Sequence, residues 1–275
     1  MDCASFFCPV INVQHFLDIL DEIAPLALAA DWDNVGLLVG NPQSRVTSVL
    51  VALDPVLSLI NEAQFLAAEL IITHHPAIFH PLKRLRTDQP LGSFLAAALR
   101  AGVSVIGCHT NFDAACGGVS DTLAEALELM GVVPLAADQA VPECGLGRIG
   151  NLPKPLAVEE FLARLQVALP FPWLLEAGPR PATVVKVAVC GGSGSDLAET
   201  ALAAGADVLL TSEIKHHTAR WAEETGLWLL DGGHFATENP AMRGLQQQLA
   251  KRARQAGLDV QIHLARQKAP LRLVP

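Results

Sequence analysis

The sequence predicts an α/β protein made of two similar halves, a pseudo-repeat, with mixed or parallel sheets flanked by helices. Three observations predict it. Short runs rich in Val, Ile and Leu alternate with helical patterns, the mark of strands covered by helices on both faces. The order of those runs in the first half is replayed in the second. In each half a strand ends on a histidine that a carboxylate follows four residues later: His109 with Asp113, and His234 with Glu238.

Taken in order, Asn12 is placed to cap an opening helix, VQHFLDILDEIAP, that ends near Pro25. DWDNVGLLVG follows as a Gly-rich connection. SVLVALD reads as a strand, VLSLINEAQFLAA as a helix and LIITHH as the next strand. SFLAAALRAG is then a helix, VSVIGCH a strand, and VSDTLAEALELMG a helix closed by Gly131. Residues 134–155 read as turns with one short strand, GLGRIGN, before the helix AVEEFLARLQVAL. The second copy runs VVKVAVCGG (strand), SDLAETALAAG (helix), DVLLTSE (strand), IKHHTARWAEETG (helix) and LWLLDGGH (strand). A long helix, TENPAMRGLQQQLAKRARQAG, and a last strand, DVQIHLA, complete it. The expected halves are residues 1–133, carrying HHP and HTNFD, and 134–275, carrying GGSG, TSE and GHFATE.

With 275 residues, the chain is one large domain or two ordinary ones, long enough to bury a substantial core. Half of it is apolar and only 17% is charged, a globular composition. A net charge of −9 argues against a double-stranded nucleic-acid binder held by a basic surface. It leaves room for a nucleotide-sized substrate, because a bound cation reverses the local sign. The six cysteines form no CxxC and fit reduced thiols rather than a disulfide framework. The opening MDCASFFCPV lacks a basic region and a long apolar core, so no signal peptide is expected. No uncharged apolar run reaches the roughly 18 residues that a membrane span needs. A cytoplasmic protein is expected.

The stretch LIITHHPAIFH is the most informative. A strand points successive side chains to opposite faces, so adjacent imidazoles suit the ragged end of a strand, where both rings can turn toward one pocket. His74, His75, His109, Asp113, His234 and Glu238 all fall at strand ends, where open α/β sheets bind ligands. Imidazole and carboxylate without thiolate suit borderline or hard divalent ions. Six donors are too many for one open catalytic ion and natural for two ions about 3.5–4 Å apart. His74 and His75 would then serve one ion each. A blander reading stands beside this one, with Asp113 a turn residue on a loop and Glu238 a first-turn acid after a Thr237 cap. CGGSG looks like a phosphate-cradling turn but is neither GxGxxG nor a Walker loop, and tight turns use glycine for steric reasons alone. Asp33 and Asn34 either orient a ligand or make an Asx turn, with Asp33 read as the turn residue.

WDNVGLLVG, ITHHP, HTNFD, CGGSG, TSE-x-x-HH and GHFATE together resemble one family, the NIF-three-like dinuclear-metal-centre proteins, also called GTP cyclohydrolase I type 2 homologues. The likeness runs from about Asn12 to His263 and is to the short form, which lacks the inserted middle domain. It implies a NIF-three-like fold in which His74, His75, Asp113, His234 and Glu238 hold two divalent ions per subunit (Zn, Mn, Fe, Co or Ni). It implies also a toroidal homohexamer, a trimer of dimers, with its sites facing an internal cavity. By position it puts Glu213, with His216 or His217, near the site. Ser212 stands where the family usually has glycine. His109 mirrors His234 in the repeat but is not clearly required as a ligand. It is assigned to holding Asp113 or a water, and with Glu213 it is a candidate for catalytic proton transfer.

Two functions follow. One is a metal-dependent hydrolase acting on a nucleotide-like or phosphoester substrate. The family resemblance implies opening of a guanine ring at C8, although no guanine-reading motif is visible. The alternative is a non-enzymatic metal-binding or sensing hexameric scaffold that docks a partner. The two differ in whether the metal site keeps an open position. A third, a nucleotide-binding domain with incidental histidines, predicts no bound metal.

Overall fold

The computed structural model describes residues 10–169 and 173–274. Cys3, Cys8 and most of the opening segment read for a targeting signal lie outside that range. The first half contains α1 (Val13–Ile23), β1 (Gly36–Val39), β2 (Ser48–Ala52), α2 (Leu57–Phe65), β3 (Leu70–Thr73), α3 (Pro90–Ala101), β4 (Ser104–Gly107), α4 (Thr110–Ala114) and α5 (Val119–Ala126). The remainder contains β5 (Met130–Ala137), β6 (Gly145–Ala157), α6 (Val158–Ala168), β7 (Leu175–Ala177), β8 (Thr183–Ser193), α7 (Ala198–Ala203), β9 (Val208–Ser212), α8 (His216–Thr225), β10 (Trp228–Asp231), α9 (His234–Gln255) and β11 (Gln261–Leu264). No helix among the described residues is long and apolar enough to cross a membrane.

Helix α1 forms where expected. Asn12 and His15 close a reciprocal capping box, and Val13, Phe16, Leu20 and Ile23 bury one face at helical spacing. Two mixed sheets follow, ordered β1-β4-β3-β2-β11 and β5-β6-β8-β9-β10-β7. Within them β4-β3-β2-β11 and β8-β9-β10 are parallel. Val49, Leu50, Val51, Leu70, Ile71 and Ile72 are fully buried, each worth about 1.5–3 kcal/mol against exposure. The strand ends that carry the chemistry therefore emerge from a rigid platform. Parallel register aligns them: Ala52 lies beside Thr73, and Thr73 beside Gly107. Asp54, His74 and His109 thus leave the first sheet at one edge. In the second sheet Asp231 pairs with Thr211 and Ser193 with Ser212.

Several expectations need correction. DWDNVGLLVG is not a mere connection, because Gly36–Val39 adds an antiparallel edge strand to β4. Helix α5 ends at Ala126, and Gly131 lies inside β5 rather than capping it. Residues 134–155 belong to a long antiparallel hairpin of β5 and β6 rather than turns with one strand. Prolines had hidden it: Pro134 is tolerated because β5 is an edge strand, and Pro153 and Pro155 fall where the β6–β8 register breaks. The three-residue strand β7 was not foreseen. Asp113 sits on a short helix, not a loop. Helix α9 starts at His234, so Thr237 lies within its first turn instead of capping it.

The two expected halves interlock. Strand β11, the last in the chain, pairs with β2 in the first sheet. Helix α9 packs against β2 and β11 on one side and β8 and β9 on the other, burying Met242, Leu245, Leu249 and Ala253. Its first turn, with His234 and Glu238 at i and i+4, therefore meets the strand ends of both sheets.

Candidate metal centre

Side chains from both sheets converge on Glu238. Three triads bring their donor atoms within 4.8 Å of one another: His74, Asp113 and Glu238; His75, His234 and Glu238; and His74, His75 and His109. His74 Nε2 is 3.4 Å from Asp113 Oδ1 and 3.8 Å from Glu238 Oε1. His75 Nε2 and His234 Nε2 lie 3.0 and 2.9 Å from Glu238 Oε2. One carboxylate thus faces two groups of donors through its two oxygens.

The rings are aimed from behind. His74 Nδ1 lies 3.0 Å from the Cys108 carbonyl, His75 Nδ1 2.8 Å from Asp54 Oδ1, and His234 Nδ1 2.9 Å from Glu213 Oε1. A carbonyl and a carboxylate accept, so each Nδ1 carries the proton and each Nε2 is turned inward as the ligand-competent atom. His74 Nε2, Asp113 Oδ1 and Glu238 Oε2 are buried without a hydrogen-bond partner; the close approaches to Glu238 Oε2 lack hydrogen-bond geometry. Three such atoms in one cluster cost about 1–3 kcal/mol each. Cations held beside them would remove that cost, so the donor set fits divalent metal ions.

The cluster holds protons that a bound cation would displace. Burial pushes the Asp113 carboxyl up to about 7, against the pull of His74. Burial acts on Glu238 in the same sense, but the imidazoles of His234, His74 and His75 gathered around it override burial and hold the carboxylate well below its ordinary value. His75 is raised to about 10: burial opposes its charge, and Asp54 with Glu238 more than compensates. His109 is lowered, chiefly by burial and by His74 beside it.

His109 belongs to a second arrangement. Its Nδ1 lies 3.0 Å from Asp33 Oδ1, and Asp33 Oδ2 accepts from Thr110 N and Oγ1. Asp33 is therefore an anchor for the β4–α4 junction rather than only an Asx-turn residue. Asn34 donates to the Ile78 carbonyl. A cavity of about 680 Å³ opens over the cluster, walled by His75, His109, Asp113, His234 and Glu238 at its floor and by Trp32, Phe79, Leu146 and Leu197 higher up.

Glu213 stands behind His234 and is exposed, with its backbone at φ 55°. His216 and His217 are exposed on the first turn of α8 and do not line that cavity. The CGGSG turn does not present a free phosphate cradle: Gly192 N–H donates to Thr237 Oγ1 and Gly194 N–H to Thr211 Oγ1. Its glycines make room instead. A Cβ on Gly192 would fall 2.0 Å from Glu238 Oε1. Ser212, the departure from glycine, donates to the Gly192 carbonyl and holds that turn. Two supporting residues escaped the sequence reading. Asp54 had a usable signal, an acid closing a strand. Gln267 had none: from 213 positions away it accepts from Asp54 N and donates to Asp54 O, fixing the backbone behind His75.

Fold and site together define an α/β protein whose two sheets deliver a dense imidazole and carboxylate cluster able to bind metal ions. The sequence profile of the Duf34/NIF3 (NGG1p interacting factor 3) family matches residues 11–270, and the chain belongs to that family. Among its relatives, a GTP cyclohydrolase 1 type 2 homolog of Streptomyces coelicolor is 38% identical over 260 residues, covering 93% of this chain and 91% of that protein. One from Clostridium perfringens is 33% identical over 242 residues, covering 88% and 92%. The structure of a Bacillus cereus protein related to NIF3 superposes with a TM-score of 0.91 at 26% identity, covering 96% of this chain and all of that one. Reduced HcgD from Methanocaldococcus jannaschii gives a TM-score of 0.78 at 28% identity, with 92% and 97% covered.

Proposed function

We propose that this protein is a metal-dependent hydrolase with two divalent ions per subunit, acting on a nucleotide-like or phosphoester substrate. The observation that carries the reading is Glu238, whose Oε1 faces His74 and whose Oε2 faces His75 and His234. His74, Asp113 and Glu238 would hold one ion, and His75, His234 and Glu238 the other. When bound, such a pair lowers the pKa of water toward 7 and polarises a carbonyl or phosphoryl oxygen.

The chain's own groups supply the rest. His109 is kept neutral by burial, and Asp33 orders its Nδ1, which leaves Nε2 to take a proton from water in the cavity. Glu213 and Asp54 orient His234 and His75 and so act on the reaction through those rings. Trp32 and Phe79, with ring centroids 5.7 Å apart, give the upper wall an apolar face for a flat substrate ring. The cavity volume falls within the range of small-molecule sites.

The test restores Mn, Zn, Co or Fe to chelated protein and follows turnover of a panel of nucleotides and phosphoesters. Metal-dependent product formation that Glu238→Ala abolishes supports the hydrolase. Tight binding of two ions with no turnover on any member of the panel refutes it and favours the scaffold.

A further inference from the structure

Outside the cluster around Glu238, a second pair of chemically reactive groups lies in contact. Cys116, in the connection from α4 to α5, and Cys144, at the entry to β6, have their sulfurs 3.3 Å apart. Cys116 is exposed and Cys144 is buried behind it. The Cys116 thiol also donates to the Glu143 carbonyl. The surrounding corner is fixed by Arg148, whose guanidinium donates to the carbonyls of Ala115, Gly145 and Gly147 and to both oxygens of Asp121. Arg148 is itself 2% exposed. The two thiols are thus held in register by a buried bracket that spans both sides of the gap.

The geometry points to Cys116 and Cys144 as a thiol–disulfide redox site, with Cys116 the attacking and Cys144 the resolving sulfur, that reversibly fastens the α4–α5 connection to the β5–β6 hairpin. Closing 3.3 Å to a bond of about 2.0 Å is within reach of side-chain torsions. The oxidant is a small-molecule disulfide such as oxidised glutathione. Cys116 loses its proton, and its thiolate attacks one glutathione sulfur, breaking that S–S bond and expelling a glutathione thiolate. Cys144, deprotonated in turn, attacks Cys116 Sγ, breaks the mixed disulfide and expels the second glutathione thiolate. The two protons end on the two glutathiones, and the two electrons lost by the cysteines reduce the glutathione disulfide. Burial, with Cys144 alongside, pushes the Cys116 thiol up to about 11. Its thiolate is therefore scarce at neutral pH, and the exchange should run about tenfold faster for each unit of pH raised below that value. Cys108 and Cys190 are buried with thiols pushed up to about 12 and serve as unreactive references.

The experiment uses the full chain with Cys3→Ser and Cys8→Ser, treated with oxidised glutathione at pH 9 and alkylated. Intact mass, non-reducing peptide maps and thermal melts are recorded before and after dithiothreitol. The expected result is a loss of two hydrogens, one linked peptide pair joining Cys116 to Cys144, full reversal by dithiothreitol, and a melting temperature several degrees higher when oxidised. With Cys144→Ala the reaction should stop at a glutathione adduct on Cys116. Alkylation of both Cys116 and Cys144 after prolonged oxidation would overturn the proposal. So would a glutathione adduct that persists with Cys144 present, or a lower melting temperature in the linked form.

Discussion

Replacing Gly192 by alanine perturbs the candidate metal centre without touching a ligand. The added Cβ would lie 2.0 Å from Glu238 Oε1, 3.0 Å from its Cδ and 3.4 Å from His234 Nε2. Ordinary contact needs more than 3 Å, so the carboxylate must retreat by roughly 1 Å or the turn must open. The turn resists, because Thr211 and Ser212 both donate to the Gly192 carbonyl and Thr237 accepts from its N–H. The backbone at φ 63° adds strain of about 1–2 kcal/mol for any residue with a Cβ. Gly36→Ala supplies the control: φ is 95°, yet nothing lies within 4 Å of its added Cβ. Both variants should lose stability to backbone strain. Only Gly192→Ala should lose metal. Disturbing a residue that merely supports a ligand costs 10–100-fold in affinity, and Glu238 serves both donor groups, so the expected loss is about 100-fold or more. Competition titration against a chelator, with urea unfolding alongside, reads both quantities. Affinity within threefold of the parent for Gly192→Ala, or an equal loss in Gly36→Ala, would refute the reasoning.

Three further outcomes are expected. Asp54→Ala removes the acceptor behind His75 Nδ1 and should weaken metal binding about 10–100-fold with the fold intact, as read by chelator competition and circular dichroism. Metal uptake at pH 8 should release at least about one proton per subunit, because the metal-free protein keeps His75 protonated up to about 10. Apparent affinity should therefore rise with pH toward that value, and calorimetry in two buffers of different ionisation enthalpy counts the protons. Asp33→Asn should destabilise the protein at pH 7. Although burial raises the Asp33 carboxyl, hydrogen bonds from His109 and Thr110 bring it below 3.8. Its contribution is therefore full above that value and fades as pH falls through the folded pKa. The urea-midpoint gap between parent and variant should narrow from pH 7 to pH 3, and a constant gap would count against the assignment.

Much of the site was legible because parallel strands put their chemistry at one end. ITHHP showed it in two adjacent rings, and the structure divides them: His74 is fully buried and tied to Cys108, whereas His75 leans on Asp54 and faces His234. The i, i+4 spacing of His234 and Glu238 looked weak while the helix was expected to begin at Thr237. With α9 starting at His234, both side chains share one face of its first turn. Proline at an edge strand and at a register break concealed the β5–β6 hairpin, since both positions tolerate a residue that normally argues against a strand. Gln267 was beyond reach. Its role depends on β11 returning to the first sheet, a long-range pairing that no local pattern encodes.

Anomalous X-ray diffraction from crystals soaked in Zn or Mn is the most direct measurement. The account predicts two peaks per subunit flanking the Glu238 carboxylate, one among His74 and Asp113 and the other among His75 and His234. A single peak, peaks elsewhere in the chain, or no peak with a saturating metal would contradict it.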